Sequence, residues 1–167
     1  MSTILYRVDD RLIHGQIVAA WVPFTRATRI VVADDDLPDN ALQAKIVRMA
    51  APPKLRVEIL SVHQAVVFMA QQRSGPGLLT IMLFAGLKSV VEALDEGLYL
   101  TELNIGNIHN APGKLQLTES VSLDRREIEC LRRLKEEEIR VYIQPVPTAP
   151  AQDLFSLLER KSWWQTQ

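Results

Sequence analysis

Apolar runs rich in β-branched residues alternate along the chain with stretches in which apolar residues recur every three or four positions. The continuous runs are typical of strands covered on both faces, and Leu78–Phe84 is the most uniformly apolar of them. The predicted strands are Ile4–Tyr6, Arg29–Ala33, Leu55–Leu60, Leu78–Phe84, Thr101–Ile105, Leu115–Leu117 and Arg140–Gln144.

The helical patterns fall between these strands, and proline or glycine ends several of them. The first predicted helix begins at Gly15, and Ser74–Gly77 breaks the third. In the second, Leu42, Ile46 and Met49 share one face, which predicts the buried side of that helix. The remaining predicted helices are Leu37–Ala50, Val62–Gln72, Leu87–Glu96, Asp124–Glu138 and Ala151–Lys161.

Strands that are spaced by helices predict right-handed βαβ units. We therefore predict one α/β domain over residues 1–167, with an open, mostly parallel, twisted sheet of about seven strands and helices on both faces. Asp124, followed three residues later by Glu127, has the pattern of a capping box at the start of its helix.

Composition narrows the class of function. The chain has 19 Lys and Arg against 20 Asp and Glu, a formal net charge of −1, which gives no footprint for nucleic acid or an anionic membrane. The single cysteine, Cys130, excludes an intramolecular disulfide and fits a reducing cytoplasm. No signal peptide is visible and no apolar run approaches the ~20 residues that span a bilayer. A cytoplasmic protein that docks onto membrane partners is compatible with this pattern.

The segment RVDDRLIHGQI, residues 7–17, concentrates the polar chemistry of the chain. It places His14 where the first strand gives way to the first helix. A helix start favours anions such as phosphate, and a neutral imidazole is a competent nucleophile near neutral pH. His14 is therefore a candidate phosphate carrier, and a merely solvated histidine is the alternative that the residues leave open.

The neighbours of His14 offer what a phosphorylated histidine needs. Asp9 or Asp10 would accept a hydrogen bond from the other ring nitrogen and so fix the tautomer. Arg11 offers a planar fork of donors that suits phosphate oxygens. Backbone N–H groups at the helix start would come from Gly15 and Gln16.

Three further loops are expected to meet His14, because ligands of open α/β sheets bind beyond the carboxyl ends of the strands. They follow the second, fourth and fifth predicted strands. The candidate residues in these loops are Asp34, Phe84, Gly86, Gly106, Asn107 and His109.

No metal or cofactor is predicted. The run Asp34–Asp36 suggests a divalent cation, but adjacent carboxylates do not point the same way. We expect Asp36 to cap the next helix and Asp34 to face the site. The histidines are too scattered for a zinc site, and phosphate-loop and GxGxxG motifs are absent from the sequence.

The motif RVDDRLIHGQI closely resembles the signature of the B component of enzyme II in the mannose–sorbose family of the bacterial sugar phosphotransferase system. The likeness continues collinearly through RIVVADDD, APPKLRVEIL, LLTIMLFAGLKSVVEAL and the stretch from Leu100 to Pro147. The resemblance implies an open parallel sheet with one antiparallel strand and helices on both sides.

The resemblance also implies a function. His14 would accept a phosphoryl group through Nδ1 from a phosphohistidine of the A component. It would then pass the group to a sugar of the mannose, fructose or sorbose class, held by the membrane components C and D. Asp10 and Arg11 match the motif positions that flank the histidine and support the phosphorylated ring.

Two loops depart from the family pattern, at Ala85–Leu87 and at Gly106–His109, so the sugar stays open. The alternative function is that of a regulatory phosphoprotein, whose state at His14 is read by a partner without sugar transport. The sequence also leaves open a homo-oligomer. The Trp163-Trp164 tail either docks a partner or packs against the last helix.

Overall fold

The apolar runs form strands whose side chains alternate between two helix-covered faces. All residues of the second and fourth strands are buried, as expected for central strands of a parallel sheet. In the computed structural model, which describes residues 4–72 and 79–164, the strands are β1 (Ile4–Asp9), β2 (Arg29–Ala33), β3 (Arg56–Leu60), β4 (Thr80–Phe84), β5 (Glu102–Asn107), β6 (Leu115–Gln116), β7 (Ser122–Leu123), β8 (Arg140–Ile143) and β9 (Gln152–Asp153).

The first helical stretch begins just after His14 and has two parts. A π-helical segment, Gln16–Trp21, continues directly into the short α-helix α1, Val22–Thr25. The other helices are α2 (Ala41–Met49), α3 (Val62–Gln72), α4 (Leu87–Asp95), α5 (Arg125–Glu136) and α6 (Leu154–Arg160).

Seven of the strands form one sheet in the order β3-β2-β4-β1-β5-β8-β9. Neighbouring strands are parallel except for β8 and β9, which are antiparallel. The predicted fold class, a mostly parallel sheet of about seven strands with one antiparallel strand, is therefore confirmed. The short strands β6 and β7 form a separate antiparallel pair.

The two faces of the sheet are covered by different helices. Val31 and Ala33 of β2 point into a core shared with α3, α4, α5 and α6. Ile30 and Val32, the alternate residues, point into a second core that includes the π-helical segment and α2. The chain thus leaves β1 along one face and β5 along the other. The adjacent carboxyl ends of β1 and β5 form a topological switch point, where open α/β sheets bind ligands.

The predicted helix over Leu37–Ala50 is divided in the structure. Residues Leu37–Asp39 form a 3₁₀ turn. The α-helix begins after Asn40, whose side-chain oxygen accepts a hydrogen bond from the N–H of Gln43 at 3.1 Å. Asparagine is a favoured N-cap because it satisfies one of the free N–H groups of the first turn.

The prediction that Leu42, Ile46 and Met49 form the buried face of α2 is wrong. These side chains are 70%, 58% and 74% exposed, respectively. The helix instead turns Ala44 and Val47 toward the core. Small residues on the inner side let the helix lie close to the sheet, and the bulky residues remain outside.

Near the carboxyl terminus, the capping box of Asp124 and Glu127 is confirmed in full. The predicted helix over Ala151–Lys161 begins later, because Gln152–Asp153 pairs with β8 as β9. Trp163 and Trp164 pack against the core on the α3–α6 side. The predicted break at Ser74–Gly77, and Leu78 with it, lie outside the described residues.

Candidate functional site

The candidate site is built around a hydrogen bond between His14 and Asp9. Nε2 of His14 lies 2.9 Å from Oδ2 of Asp9, the last residue of β1. The Asp9 side chain is fully buried, whereas that of His14 is 15% exposed. A carboxylate at this position selects, for the uncharged ring, the tautomer that carries its proton on Nε2 and its lone pair on Nδ1.

Asp9 receives hydrogen bonds from three further groups. Nη2 of Arg7 and Nδ2 of Asn107 donate to Oδ2 at 3.0 and 2.9 Å, and the N–H of Arg11 donates to Oδ1 at 3.1 Å. Burial alone would raise the pKa of Asp9. The hydrogen bonds from His14 and Asn107 and the charge of Arg7 outweigh burial and hold that pKa below its usual value.

Asp9 is expected to make the stability of the protein depend on pH. Its pKa is lower in the folded state than in the unfolded chain, so its contribution is fully present above the unfolded-state pKa of about 4. The contribution is lost as the pH falls through the lower folded-state pKa. Unfolding free energies measured by urea denaturation should therefore fall below about pH 4 more steeply for the wild type than for Asp9→Asn. Equal slopes for the two proteins would contradict the shift.

Arg7 is fully buried, and its guanidinium forms an ion pair with Asp9. Its Nη1 donates to Oδ1 of Asn104 and to the carbonyl of Gln144, and its Nη2 also donates to the carbonyl of Pro145 at 3.1 Å. The guanidinium lies 5.3 Å from the ring centroid of Trp21. Burial lowers the pKa of Arg7, and the charge of Asp9 opposes that effect. The base of the site is thus a buried and well hydrogen-bonded ion pair.

A β-bulge at Gly106 makes room for this ion pair. Val8 lies opposite Ile105, but the next residue of β1, Asp9, lies opposite Asn107, so Gly106 is the extra residue on β5. A Cβ atom on Gly106 would lie 1.9 Å from Nη2 of Arg7. The bulge therefore brings Asn107 to Asp9, and the missing side chain leaves space for the guanidinium.

Replacing Gly106 with alanine is expected to lower the free energy of unfolding by about 1–3 kcal/mol, as for other overpacked interiors. The added methyl group forces Arg7 out of its position. Urea denaturation measures the change. Gly15→Ala is a matched control, since Gly15 has helical dihedral angles and no atom near an added Cβ. Equal losses for the two variants would show that the close approach to Arg7 is unimportant.

The carboxylate next to Asp9 has a different partner. Asp10 accepts hydrogen bonds from the N–H of His109 at 2.7 Å and from Nδ1 of His109 at 2.6 Å. The N–H of Asp10 donates to the carbonyl of Asn107 at 3.1 Å. Of the two aspartates considered for the tautomer of His14, the structure thus selects Asp9. Asp10 instead ties the loop before His14 to the loop after β5.

An open cleft of about 720 Å³ is lined by residues that contact Asp9, although Asp9 and His14 themselves are not among the lining residues. Arg11, Gln16 and Asn107 line it at the end nearest Asp9, and Oε1 of Gln16 accepts a hydrogen bond from Asn107 at 3.0 Å. The Arg11 side chain is 41% exposed. The remaining lining residues are Thr118, Glu119, Ser120, Ile143, Pro145, Ala149, Pro150 and Gln152.

Backbone geometry at the start of the helical stretch fixes the position of His14. Leu12 adopts a left-handed conformation with φ of 57°, which is uncommon for a bulky residue. The carbonyl of His14 accepts hydrogen bonds from the N–H groups of Ile17 and Val18, both at 3.0 Å. His14 therefore stands immediately before the first turn, where N–H groups of a helical segment lack partners within that segment.

Three of the predicted neighbours have other roles. Phe84 is completely buried in the core on the α3–α6 side, so it is not available to a ligand. Gly86 is the N-cap residue of α4. Oδ1 of Asp34 accepts hydrogen bonds from the N–H groups of Asp36 and Leu37 at 2.9 and 2.8 Å. Asp34, and not Asp36 as expected, thus caps the turn that follows β2, because its side chain reaches the free N–H groups.

The only thiol of the chain, that of Cys130, is not part of this site. Cys130 lies on α5 and is half-buried against the core. Burial, followed by the nearby carboxylates of Glu127 and Asp124, raises the pKa of the Cys130 thiol. A thiol that stays protonated is a poor nucleophile at neutral pH.

Sequence reasoning missed the role of Arg7 and its contacts with Asn104 and Trp21. One signal was available, because Arg7 stands between the apolar residues Tyr6 and Val8 in a strand predicted to be central. A charged residue in such a strand is buried only when it is paired.

Comparisons with known proteins agree with this fold. A family model described as PTS system sorbose subfamily IIB component matches residues 3–167. The sorbose-specific EIIB component of Klebsiella pneumoniae is 31% identical over 164 residues, which cover 98% of this chain and 99% of the relative. N-acetylgalactosamine-specific phosphotransferase enzyme IIB component 2 of Escherichia coli (strain K12) is 32% identical over 159 residues, with 94% and 99% coverage.

Solved structures give the same result. The crystal structure of the IIBSor domain of the sorbose permease from Klebsiella pneumoniae matches with a TM-score of 0.86 at 31% identity, covering 96% of this chain and 98% of that chain. The fold and site thus define a component of a sugar phosphotransferase system. The chain belongs to the sorbose subfamily of its IIB components. Within residues 4–72 and 79–164, none of the helices combines the length and apolar character needed to cross a bilayer.

Proposed function

We propose that this chain carries a phosphoryl group on Nδ1 of His14, as the family resemblance implies. The donor is a phosphohistidine of the A component, and the acceptor is a sugar bound by the membrane components C and D. The observation that carries the proposal is the 2.9 Å hydrogen bond between Nε2 of His14 and the buried carboxylate of Asp9. This bond leaves Nδ1 as the nucleophilic nitrogen.

In the accepting step, the N–P bond of the donor histidine breaks as the bond from phosphorus to Nδ1 of His14 forms. Such transfers pass through a loose transition state in which charge is spread over the phosphoryl oxygens. Phosphorylation at Nδ1 draws electrons from the ring. Asp9 stabilises the resulting positive character at Nε2, as the buried aspartate does for histidine in a catalytic triad.

Charge around the phosphoryl group comes from the loop and the helical segment. The N–H of Arg11 is fixed on Asp9, and its half-exposed guanidinium, whose Nε lies 4.0 Å from Oδ1 of Asp9, would present the planar fork of its terminal nitrogens to phosphate oxygens. Gly15 and Gln16 would add N–H groups at the start of the helical segment. Arg7 keeps Asp9 ionised without occupying the space above His14.

The proposal is tested by incubating the protein with phosphorylated A component and following acid-labile, alkali-stable label on the chain. His14→Gln should reduce the label to background. Cys130→Ser and His63→Gln, which remove the thiol and a histidine that pairs with Glu96 outside the site, should leave labelling intact. Label that persists on His14→Gln would overturn the proposal.

A second stage separates sugar transfer from regulation. Labelled protein is mixed with membranes that contain the C and D components and with mannose, fructose or sorbose. Loss of label together with formation of a sugar phosphate supports the carrier function. Label that is accepted on His14 but discharged by none of these mixtures would favour a regulatory phosphoprotein.

A further inference from the structure

The helical layer formed by α1 and α2 has an unusually apolar outer surface. Seven large apolar side chains are exposed among the described residues, and four of them lie on this layer. Three of the four, Leu42, Ile46 and Met49, recur at helical spacing along α2. Such a row exposes more contiguous apolar surface than singly scattered residues do, and it marks an interaction site.

The same layer carries a concentrated positive charge. Residues 40–57 include four basic residues and no acidic one, although the whole chain has a net charge of −1. Three of the four, Lys45, Arg48 and Lys54, are exposed on α2 or in the turn that follows it. The fourth, Arg56, is also exposed, but it alternates with Val57 and Ile59 along β3, so its side chain points to the other face of the sheet. The near-zero net charge of the whole chain, which by itself does not indicate an anionic membrane, does not reveal this local excess of positive charge.

These cations differ from Arg133 and Lys135 on the opposite layer in having no ion-pair partner among the described residues. On the other face, Arg133 pairs with Asp95 and Glu137, and Lys135 pairs with Glu159. Within the part of the chain that the structure describes, the cations of residues 45–56 take part in no ion pair. Unpaired cations beside exposed apolar side chains are available to an anionic partner.

We propose that this surface, termed the α2 patch and comprising Leu42, Lys45, Ile46, Arg48, Met49 and Lys54, binds the surface of an anionic lipid bilayer. Aliphatic side chains flanked by basic residues on one helix face are the pattern of helices that lie in the membrane interface. Each cation near a negatively charged leaflet adds attraction, and the long lysine and arginine stems reach the headgroups while the aliphatic groups enter below them.

Charge argues against a second copy of this chain as the occupant. A two-fold symmetric contact would place the α2 patch against itself. The three cations of one copy would then lie against the same three cations of the other, and such like-charge contacts oppose association.

Docking through the α2 patch would leave the candidate site uncovered. Asp36 and Asp39 precede α2 at the carboxyl edge of the sheet, and Glu58 alternates with Val57 and Ile59 along β3, so its side chain points to the other face. Arg48 and Lys54 lie toward the other end of the layer, at the end of α2 and in the turn that follows it. His14, at the carboxyl edge, therefore stays free to meet its phosphoryl donor and acceptor.

Binding of the full chain to protein-free vesicles tests the proposal. Vesicles of phosphatidylcholine alone are compared with vesicles that also contain phosphatidylglycerol, using co-sedimentation at low and high salt. We expect binding only to the anionic vesicles, and its loss at high salt. Lys45→Gln/Arg48→Gln should weaken binding on the order of 25-fold, at roughly fivefold per cation. Leu42→Ser/Ile46→Ser/Met49→Ser should abolish insertion.

Matched controls make the result specific. Lys88→Gln/Lys135→Gln removes two charges from the opposite layer and should leave vesicle binding unchanged. His14→Gln should also bind normally, so failure of this proposal and failure of the carrier function are distinguishable. Thermal melts confirm that the surface variants remain folded.

Several outcomes would overturn the proposal. These are equal binding to neutral and anionic vesicles, no binding to either, or equal losses in the control variant. Binding only to membranes that contain the C and D components would assign the α2 patch to a protein partner instead. Self-association that the serine variant abolishes would assign it to a second copy.

Discussion

Replacing Asp9 with asparagine is expected to slow phosphorylation of His14 by about 10²–10⁴-fold, as the loss of an orienting aspartate does in a catalytic triad. Oδ2 of Asp9 accepts hydrogen bonds from Arg7, His14 and Asn107. An amide has one acceptor atom and no charge. If the NH₂ group of asparagine takes the place of Oδ2, it faces three donor groups and cannot accept their hydrogen bonds. If the amide oxygen takes that place, it lacks the negative charge that stabilises the phosphorylated ring.

The rate of transfer from phosphorylated A component measures this effect, and ¹⁵N chemical shifts of His14 report the tautomer. Asp10→Asn changes the same group one residue along the chain, where the partner is His109. It should reduce the rate less and leave the tautomer of His14 unchanged. If Asp10→Asn had the larger effect on both measurements, the assignment of Asp9 as the orienting carboxylate would be wrong.

Replacing Arg7 with methionine is expected to lower the free energy of unfolding by about 3–5 kcal/mol. The substitution keeps much of the apolar volume but removes the cation that faces Asp9. It also removes one donor from each of the carbonyl groups of Gln144 and Pro145, which keep only Nδ2 of Asn104 and Nε1 of Trp21, respectively. Because both side chains of the pair are fully buried, water does not replace the lost partner.

Urea denaturation of the wild type, the single variants Arg7→Met and Asp9→Asn, and the double variant measures the contribution of the pair. Arg7→Met/Asp9→Asn should be less destabilised than the sum of the single variants, since it leaves no lone buried charge. Arg140→Met is the matched control. It breaks an exposed pair with Glu102 and should cost no more than about 1 kcal/mol. A loss for Arg7→Met as small as that of the control would refute the structural role of Arg7.

Much of the fold follows from local pattern. The bounds of β2 and α3 are those that the sequence predicts, because apolar runs and helical spacing are strong signals in long buried elements. The capping box at Asp124 depends on two residues of one turn, and it too is predicted correctly. Errors occur where tertiary packing decides, as in α2, whose aliphatic residues would fit either side of the helix.

The candidate site was predicted less completely, and for a different reason. The sequence places Asp9 and His14 five residues apart in one motif, so their proximity is a local property. The contacts of Asp9 with Asn107 and of Arg7 with Gln144 join residues that are distant along the chain. They depend on the bulge at Gly106, and a single glycine in a strand pattern does not reveal which side chain occupies the space beside it.

The two ends of the open sheet protect the chain against aggregation. One edge strand, β9, has only two residues and follows directly on Pro150, so another strand finds little backbone to pair with. At the other edge, β3 carries the charged residues Arg56 and Glu58, which oppose the approach of a flat apolar strand. Sheet-to-sheet polymerisation is thereby disfavoured at both edges, even though β2 and β4 between them are buried along their whole length.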